Sequence, residues 1–268
     1  MKFVAIVRAP ERTEEAASAL AEASGLALAE ARMRLAPEPP ALLARLEPDT
    51  AEALVVALRK RGLAVLAVPA RVPTDKDRIV ARSFSFDNAG VTFTSWSGDS
   101  VQLAWPDVLA ILRGLRASRS EVERTERSKS FSVGMAVATG GLKMTRIATK
   151  TVRSSEESTE QVILVYSRGG PVALLAEREL DFSCLGPGMS PSSTANMVEL
   201  ARRLREKANA AFYDERLLRL GRRPLPFLAR GESRSQSGTS TVMRADTSGS
   251  LDVLAEVMRQ ALVEGILR

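Results

Sequence analysis

The first seventy residues alternate between short apolar runs and helical stripes. Residues 2–7 hold an apolar run long enough for a buried strand, interrupted by Pro10. Thr13-Glu14-Glu15 then opens a helix whose acids suit the positive end of the helix dipole, with Ala16, Ala19, Leu20 and Ala23 on one stripe. Ser24-Gly25 ends it. A second helix over residues 28–35 stops before Pro37-Glu38-Pro39-Pro40, which no helix crosses. Residues 41–46 predict a strand, and Pro48-Asp49 starts a third helix, apolar at Ala53, Leu54, Ala57 and Leu58. Residues 63–68 predict a last buried strand, ended by Pro69. The order over residues 1–70 is β-α-α-β-α-β, a small α/β sandwich.

Beyond a linker at residues 69–75 the period falls to two. Arg82-Ser83-Phe84-Ser85-Phe86 and Val91-Thr92-Phe93-Thr94 alternate on either side of a turn at Asp87-Asn88-Ala89-Gly90. Val101, Leu103 and Trp105 alternate toward a core, and residues 108–115 predict the next strand. Phe131, Val133, Met135 and Val137 alternate before Gly140-Gly141, with a return strand over 144–152. Residues 161–166 and 172–176 form a hairpin about the turn at 167–171, and 181–184 predict a short edge strand. Ser192 and Ser193 then cap a helix running to about residue 220.

Residues 78–220 thus predict a mostly antiparallel β-barrel or sandwich closed by a helix, and the fold class of the chain is α+β. Residues 221–248, rich in Gly, Ser, Thr, Arg and Pro, predict a flexible linker. Residues 249–268 predict a short amphipathic helix with Leu251, Leu254, Met258, Leu262 and Ile266 on one stripe. Two readings of that helix stand: it folds back onto its own domain, or it is a ligand for a groove on a partner protein.

Ser24-Gly25-Leu26-Ala27-Leu28-Ala29-Glu30-Ala31 and Arg61-Gly62-Leu63-Ala64-Val65, in that element order, resemble the C-terminal domain of the bacterial ribosomal stalk protein, whose fold the Clp-protease adaptor shares. The resemblance covers about a quarter of the chain and implies a non-enzymatic docking domain. In that family, Lys-rich positions beside the Gly-Leu motif recruit translation GTPases; here Ala29 and Arg32 hold the two positions. The antiparallel strands with a closing helix, and Leu103-Ala104-Trp105-Pro106-Asp107-Val108, resemble a bacterial pleckstrin-homology-like domain. That likeness implies loops that bind phosphoinositides, phosphopeptides or proteins.

Composition narrows the chemistry. With no His there is no Ser-His-Asp triad and no imidazole metal ligand. The single Cys184 allows no internal disulfide or thiolate zinc cluster, and with no His to activate it, it reads as inert packing. The Gly134–Gly141 stretch lacks the order of a phosphate loop and reads as a hairpin. Glu156, Glu157 and Glu160 sit in a Ser-rich stretch that reads as a solvated loop, while Trp96 and Trp105 have the spacing of core or barrel-rim residues. No catalytic residue, metal or cofactor is expected, and an enzyme working with carboxylates alone is the last alternative. The opening apolar run is too short for a signal peptide, and no run approaches the ~18 residues that span a bilayer, so the expected location is the cytoplasm.

The formal net charge of +6 is unevenly spread. Residues 113–153 carry 10 basic residues against Glu121, Glu123 and Glu126. Arg124, Arg127, Lys129, Lys143, Arg146 and Lys150 are therefore candidate contacts for anionic lipid or phosphate and, less readily, nucleic acid. The leading expectation is an adaptor or scaffold that binds protein partners; the alternative is electrostatic binding through that basic stretch.

Overall fold

The computed structural model of the chain describes residues 1–71, 73–131, 145–169, 172–228, 231–237, 240–246 and 248–268. Two compact units emerge, one of residues 1–116, 159–229 and 247–268, the other of residues 117–158 and 230–246.

In the first unit, β1 (Lys2–Ile6), α1 (Thr13–Ser24), α2 (Leu28–Leu35), β2 (Ala41–Leu46), α3 (Pro48–Lys60) and β3 (Val65–Pro69) follow the expected order. Their strands form an antiparallel sheet in the order β2-β1-β3. Val4 and Ile6 face α1–α3, packing with Ala17, Leu20, Leu54 and Leu58. Phe3, Ala5 and Val7 alternate to the other face, which is equally apolar and equally buried. A three-stranded sheet with two apolar faces needs a cover on each.

The second cover is α6 (Ser248–Val263). Leu251, Leu254 and Met258 are fully buried, and so are Val253, Ala255, Val257 and Ala261 on its other sides. A helix apolar on nearly all sides belongs inside a core. Here α6 fills one core with Phe3, Leu42, Leu66 and Val68 of the small sheet and Leu112, Leu164 and Leu174 of a second, larger sheet. Gly114 admits the helix: a Cβ there would lie 2.1 Å from Leu251 Cδ1. Gly221 is less tight but still leaves no room, its Cβ position 2.8 Å from that same atom.

The larger sheet comprises β4 (Arg78–Phe86), β5 (Gly90–Ser95), β6 (Ser100–Ala104), β7 (Val108–Phe131), β8 (Thr145–Ser167), β9 (Val172–Ala176), β10 (Phe212–Asp214), β11 (Gly231–Ser237) and β12 (Ser240–Asp246). Its order is β11-β12-β7-β8-β9-β4-β5-β6, with β10 alongside β7. β9 lies parallel to β4, and β10 parallel to β7. On β8 and β9, Val162, Leu164, Tyr166, Leu174 and Ala176 face α6, while Ile163, Val165, Ala173 and Leu175 face α4 (Ser193–Lys207). Ser192 caps α4, accepting from Ala195 N at 3.3 Å. Among the described residues no closing ladder is seen, so the expected barrel is not confirmed.

Several expected elements differ. The strands expected over 144–152 and 161–166 are one strand, β8, and the Ser- and Glu-rich stretch between them, read as a loop, is strand as well. A strand polar on both faces shows no alternating signature, because ladder hydrogen bonds and not burial define it. The helix expected to reach residue 220 stops at Lys207; Phe212–Asp214 pairs with Ala110–Leu112, and α5 (Leu217–Leu220) follows. Aromatic Phe212 and Tyr213 favour a strand once a ladder is offered. The edge strand expected at 181–184 is a 3-10 turn, Phe182–Gly188, in which Asp181 caps Ser183 N and Gly186 takes a positive φ of 57°. Cys184, expected in packing, is exposed there. The flexible linker expected over 221–248 contains β11 and β12, which pair with each other, and β12 pairs with β7. The expected Gly134–Gly141 hairpin lies outside the described residues.

Leu254→Ala should lower unfolding free energy by about 2–5 kcal/mol in urea titration, since it opens a cavity between two sheets. Truncation after residue 220 should leave the chain without a cooperative transition.

Candidate functional site

The first unit is held by arginines from elements far apart in sequence. Arg78 on β4, with its side chain 4% exposed, reaches Asp252 of α6 at 2.8 Å and Asp75 at 2.6 Å. Arg116 on β7 adds contacts to Asp75 at 3.1 Å and Asp252 at 3.6 Å. Burial pushes the Asp75 carboxyl up, but the bonds from Arg78 and Arg116 outweigh it and hold it below the ordinary carboxylate range. Arg113 is buried too, bonding Glu215 at 2.7 Å and Gln161 at 3.1 Å. Glu215 is lowered chiefly by the Tyr213 hydroxyl, with Arg113 adding to the effect against burial. Two of the ten cations that made residues 113–153 look like a binding stretch are therefore spent inside the protein.

Other arginines satisfy backbone. Arg216 Nη1 donates to Pro39 O at 3.2 Å, and Arg223 donates to Glu38 O at 3.0 Å and Pro40 O at 2.7 Å. Arg34 donates to Leu43 O of edge strand β2, and Arg59 to Val65 O of edge strand β3. These donors occupy carbonyls that an unpaired edge would leave free for another chain.

A different set lines open surface. Arg168, Arg205 and Arg268 line a cavity of about 610 Å³, together with Asn209, Phe212 and Tyr213. Arg8, Arg59 and Arg268 line a neighbour of about 600 Å³, floored by Leu63 and Ile266. The two share Arg268, and no carboxylate side chain lines either. The nearby acids are engaged: Glu264 with Arg59 at 2.5 Å, and Glu215 with Arg113 and Tyr213. Arg205 lies over the Tyr213 ring at 4.8 Å, and Arg168 Nε donates to Pro106 O at 3.2 Å, so both guanidiniums are fixed while keeping unused donors.

Among the described residues, the sequence-predicted anion contacts belong to the long strands of the larger sheet. Arg124, Arg127 and Lys129 lie on β7 and Arg146 and Lys150 on β8, Arg124 in register with Ser240; Lys143 lies outside the described residues. In the partner-helix set, Leu251, Leu254 and Met258 are buried in the chain's own core, with Leu262 and Ile266 half-buried against it. They are therefore not a free apolar face. Trp105 packs against the core as expected, but Trp96 is 61% exposed, with the Arg82 guanidinium 3.9 Å above its ring. Glu160 accepts from Arg178 N at 2.9 Å. The arginines of the open cavities escaped notice because they come one at a time from Arg8, Arg59, Arg168, Arg205 and Arg268. Charge density along the chain has no means of finding them.

Among the described residues, no group of three or more acidic or thiol side chains could hold a metal, and no helix is long and apolar enough to cross a membrane. Comparison with protein-family models, curated proteins and solved structures finds no match.

Removing Arg78 leaves Asp252, which is 4% exposed, with only the longer 3.6 Å contact to Arg116, so Arg78→Met should cost about 3 kcal/mol in urea titration. Asp75, depressed in the folded state, stabilises fully above its unfolded pKa of about 3.9 and loses that contribution as pH falls through the folded value. Urea midpoints measured from pH 6 downward should therefore drop less steeply below about pH 4 for Asp75→Asn than for the parent chain.

Proposed function

We propose that this chain is a non-enzymatic docking protein that holds an acidic segment of a protein partner along the surface shared by the two arginine-lined cavities. The observation that carries this reading is that Arg8, Arg59, Arg168, Arg205 and Arg268 line the pair of cavities while no carboxylate side chain lines either, Glu264 being bound to Arg59 outside their walls. Guanidiniums offer paired donors to carboxylates and tolerate the apolar neighbours Leu63, Phe212 and Ile266. An acidic peptide with interspersed apolar side chains complements both properties. The likeness of residues 1–70 to a docking domain supports the same reading, as does the lack of imidazole. Because the terminal helix is buried, docking is assigned to the surface around its end and not to its apolar stripe.

The test uses a labelled Glu-rich synthetic peptide carrying Leu and Phe, followed by fluorescence anisotropy. Arg168→Ala with Arg205→Ala should weaken binding by about tenfold, and affinity should fall as salt rises. Unchanged affinity in the double variant, or stronger binding to duplex DNA or to phosphatidylserine vesicles than to the peptide, overturns the proposal.

A further inference from the structure

A third cavity, of about 330 Å³, opens where the segment between β3 and β4 crosses α6 and the end of β8. Its wall includes Pro69, Pro73, Arg71, Tyr166, Glu256 and Arg259. Both acids in the wall are already paired. Asp77 accepts from Thr74 N at 2.8 Å, from Thr74 Oγ1 at 2.9 Å, and from Arg71. Glu256 takes Arg259 Nε at 2.9 Å on one oxygen and Arg259 Nη2 at 2.5 Å on the other. Arg78, also in the wall, is committed to Asp75 and Asp252.

The unused capacity is on the donor side. Arg71 and Arg259 each keep N–H groups outside those pairs. Tyr166 is 3% exposed, and no described residue bonds its hydroxyl. The one fully enclosed, unpartnered side-chain atom among the described residues is Arg116 Nε, so the Tyr166 hydroxyl must meet the cavity it lines. Burial, with Glu256 nearby, raises the Tyr166 pKa and keeps the phenol a neutral donor. A buried tyrosine hydroxyl ordinarily has a partner.

We propose that this cavity is a binding site for a small organic carboxylate, its acid group taken by the Tyr166 hydroxyl and the free N–H groups of Arg71 and Arg259, its apolar part set against Pro69 and Pro73. Donors without matching acceptors call for an oxyanion, and two proline walls call for a carbon skeleton beside it. The site is separate from the arginine-lined surface and does not depend on the docking reading.

Benzoate is the probe. The chain has only two tyrosines, Tyr166 and Tyr213, so 3-fluorotyrosine labelling of the full-length protein gives two fluorine resonances, assigned with Tyr→Phe variants. Benzoate at millimolar concentration should shift the Tyr166 resonance and leave Tyr213 in place. By calorimetry, Tyr166→Phe and Arg71→Ala should each weaken binding by about fivefold or more, with Arg202→Ala, on the exposed face of α4, unchanged. No shift at Tyr166, equal shifts of both resonances, inorganic phosphate acting as strongly as benzoate, or variants binding like the parent chain would each overturn the proposal.

Discussion

Burial of one helix between two sheets is the constraint on which the first unit depends. The small sheet is apolar on both faces, and so are the central strands of the large one. Each is covered on one side by a helical layer of its own, α1–α3 for the first and α4 for the second. The remaining two apolar faces both end on α6. A helix of 16 residues that contacts a sheet on either side keeps only a narrow polar edge, Asp252, Glu256 and Arg259, which is why Val253, Ala255 and Val257 accompany Leu251, Leu254 and Met258. Gly114 and Gly221 are the local counterpart, small enough to let Leu251 come within contact of the strand.

Arginine does three kinds of work around that core. Arg78, Arg113 and Arg116 are themselves buried or nearly so and pair with acids, Arg78 and Arg116 sharing the buried Asp252 and Arg113 taking the half-exposed Glu215. Arg34, Arg59, Arg216 and Arg223 donate to backbone carbonyls, two of them on edge strands. Among the described residues, Arg8, Arg168, Arg205 and Arg268 line the open cavities, with Arg59 belonging to both groups. The net charge of +6 is a poor guide to where they lie.

Much of the first seventy residues was legible from periodicity and punctuation. Pro10, Gly25, the Pro37–Pro40 cluster and Pro69 bracket the elements, and β1 through β3 fall where those breakers allow. The terminal helix was legible as a helix, but reading only the Leu251–Leu254–Met258 stripe concealed that Val253 and Val257 make it apolar on a second side. Polar strands were the harder failure: residues 153–160 of β8 and the β11–β12 hairpin carry no alternation of apolar and polar positions, so nothing in their residue types separates them from a linker.

Sequence alone determined the local elements, the lack of imidazole chemistry, and the presence of two regions of different period, because propensity, breakers and periodicity act within a dozen residues. Tertiary structure alone decided what covers each apolar face and which cations remain unpaired. Both depend on meetings across long stretches of chain, as with Arg78 and Asp252, separated by 174 positions. An arginine's availability to a ligand is a property of the acids that reach it in space, and spacing along the polypeptide carries no record of them.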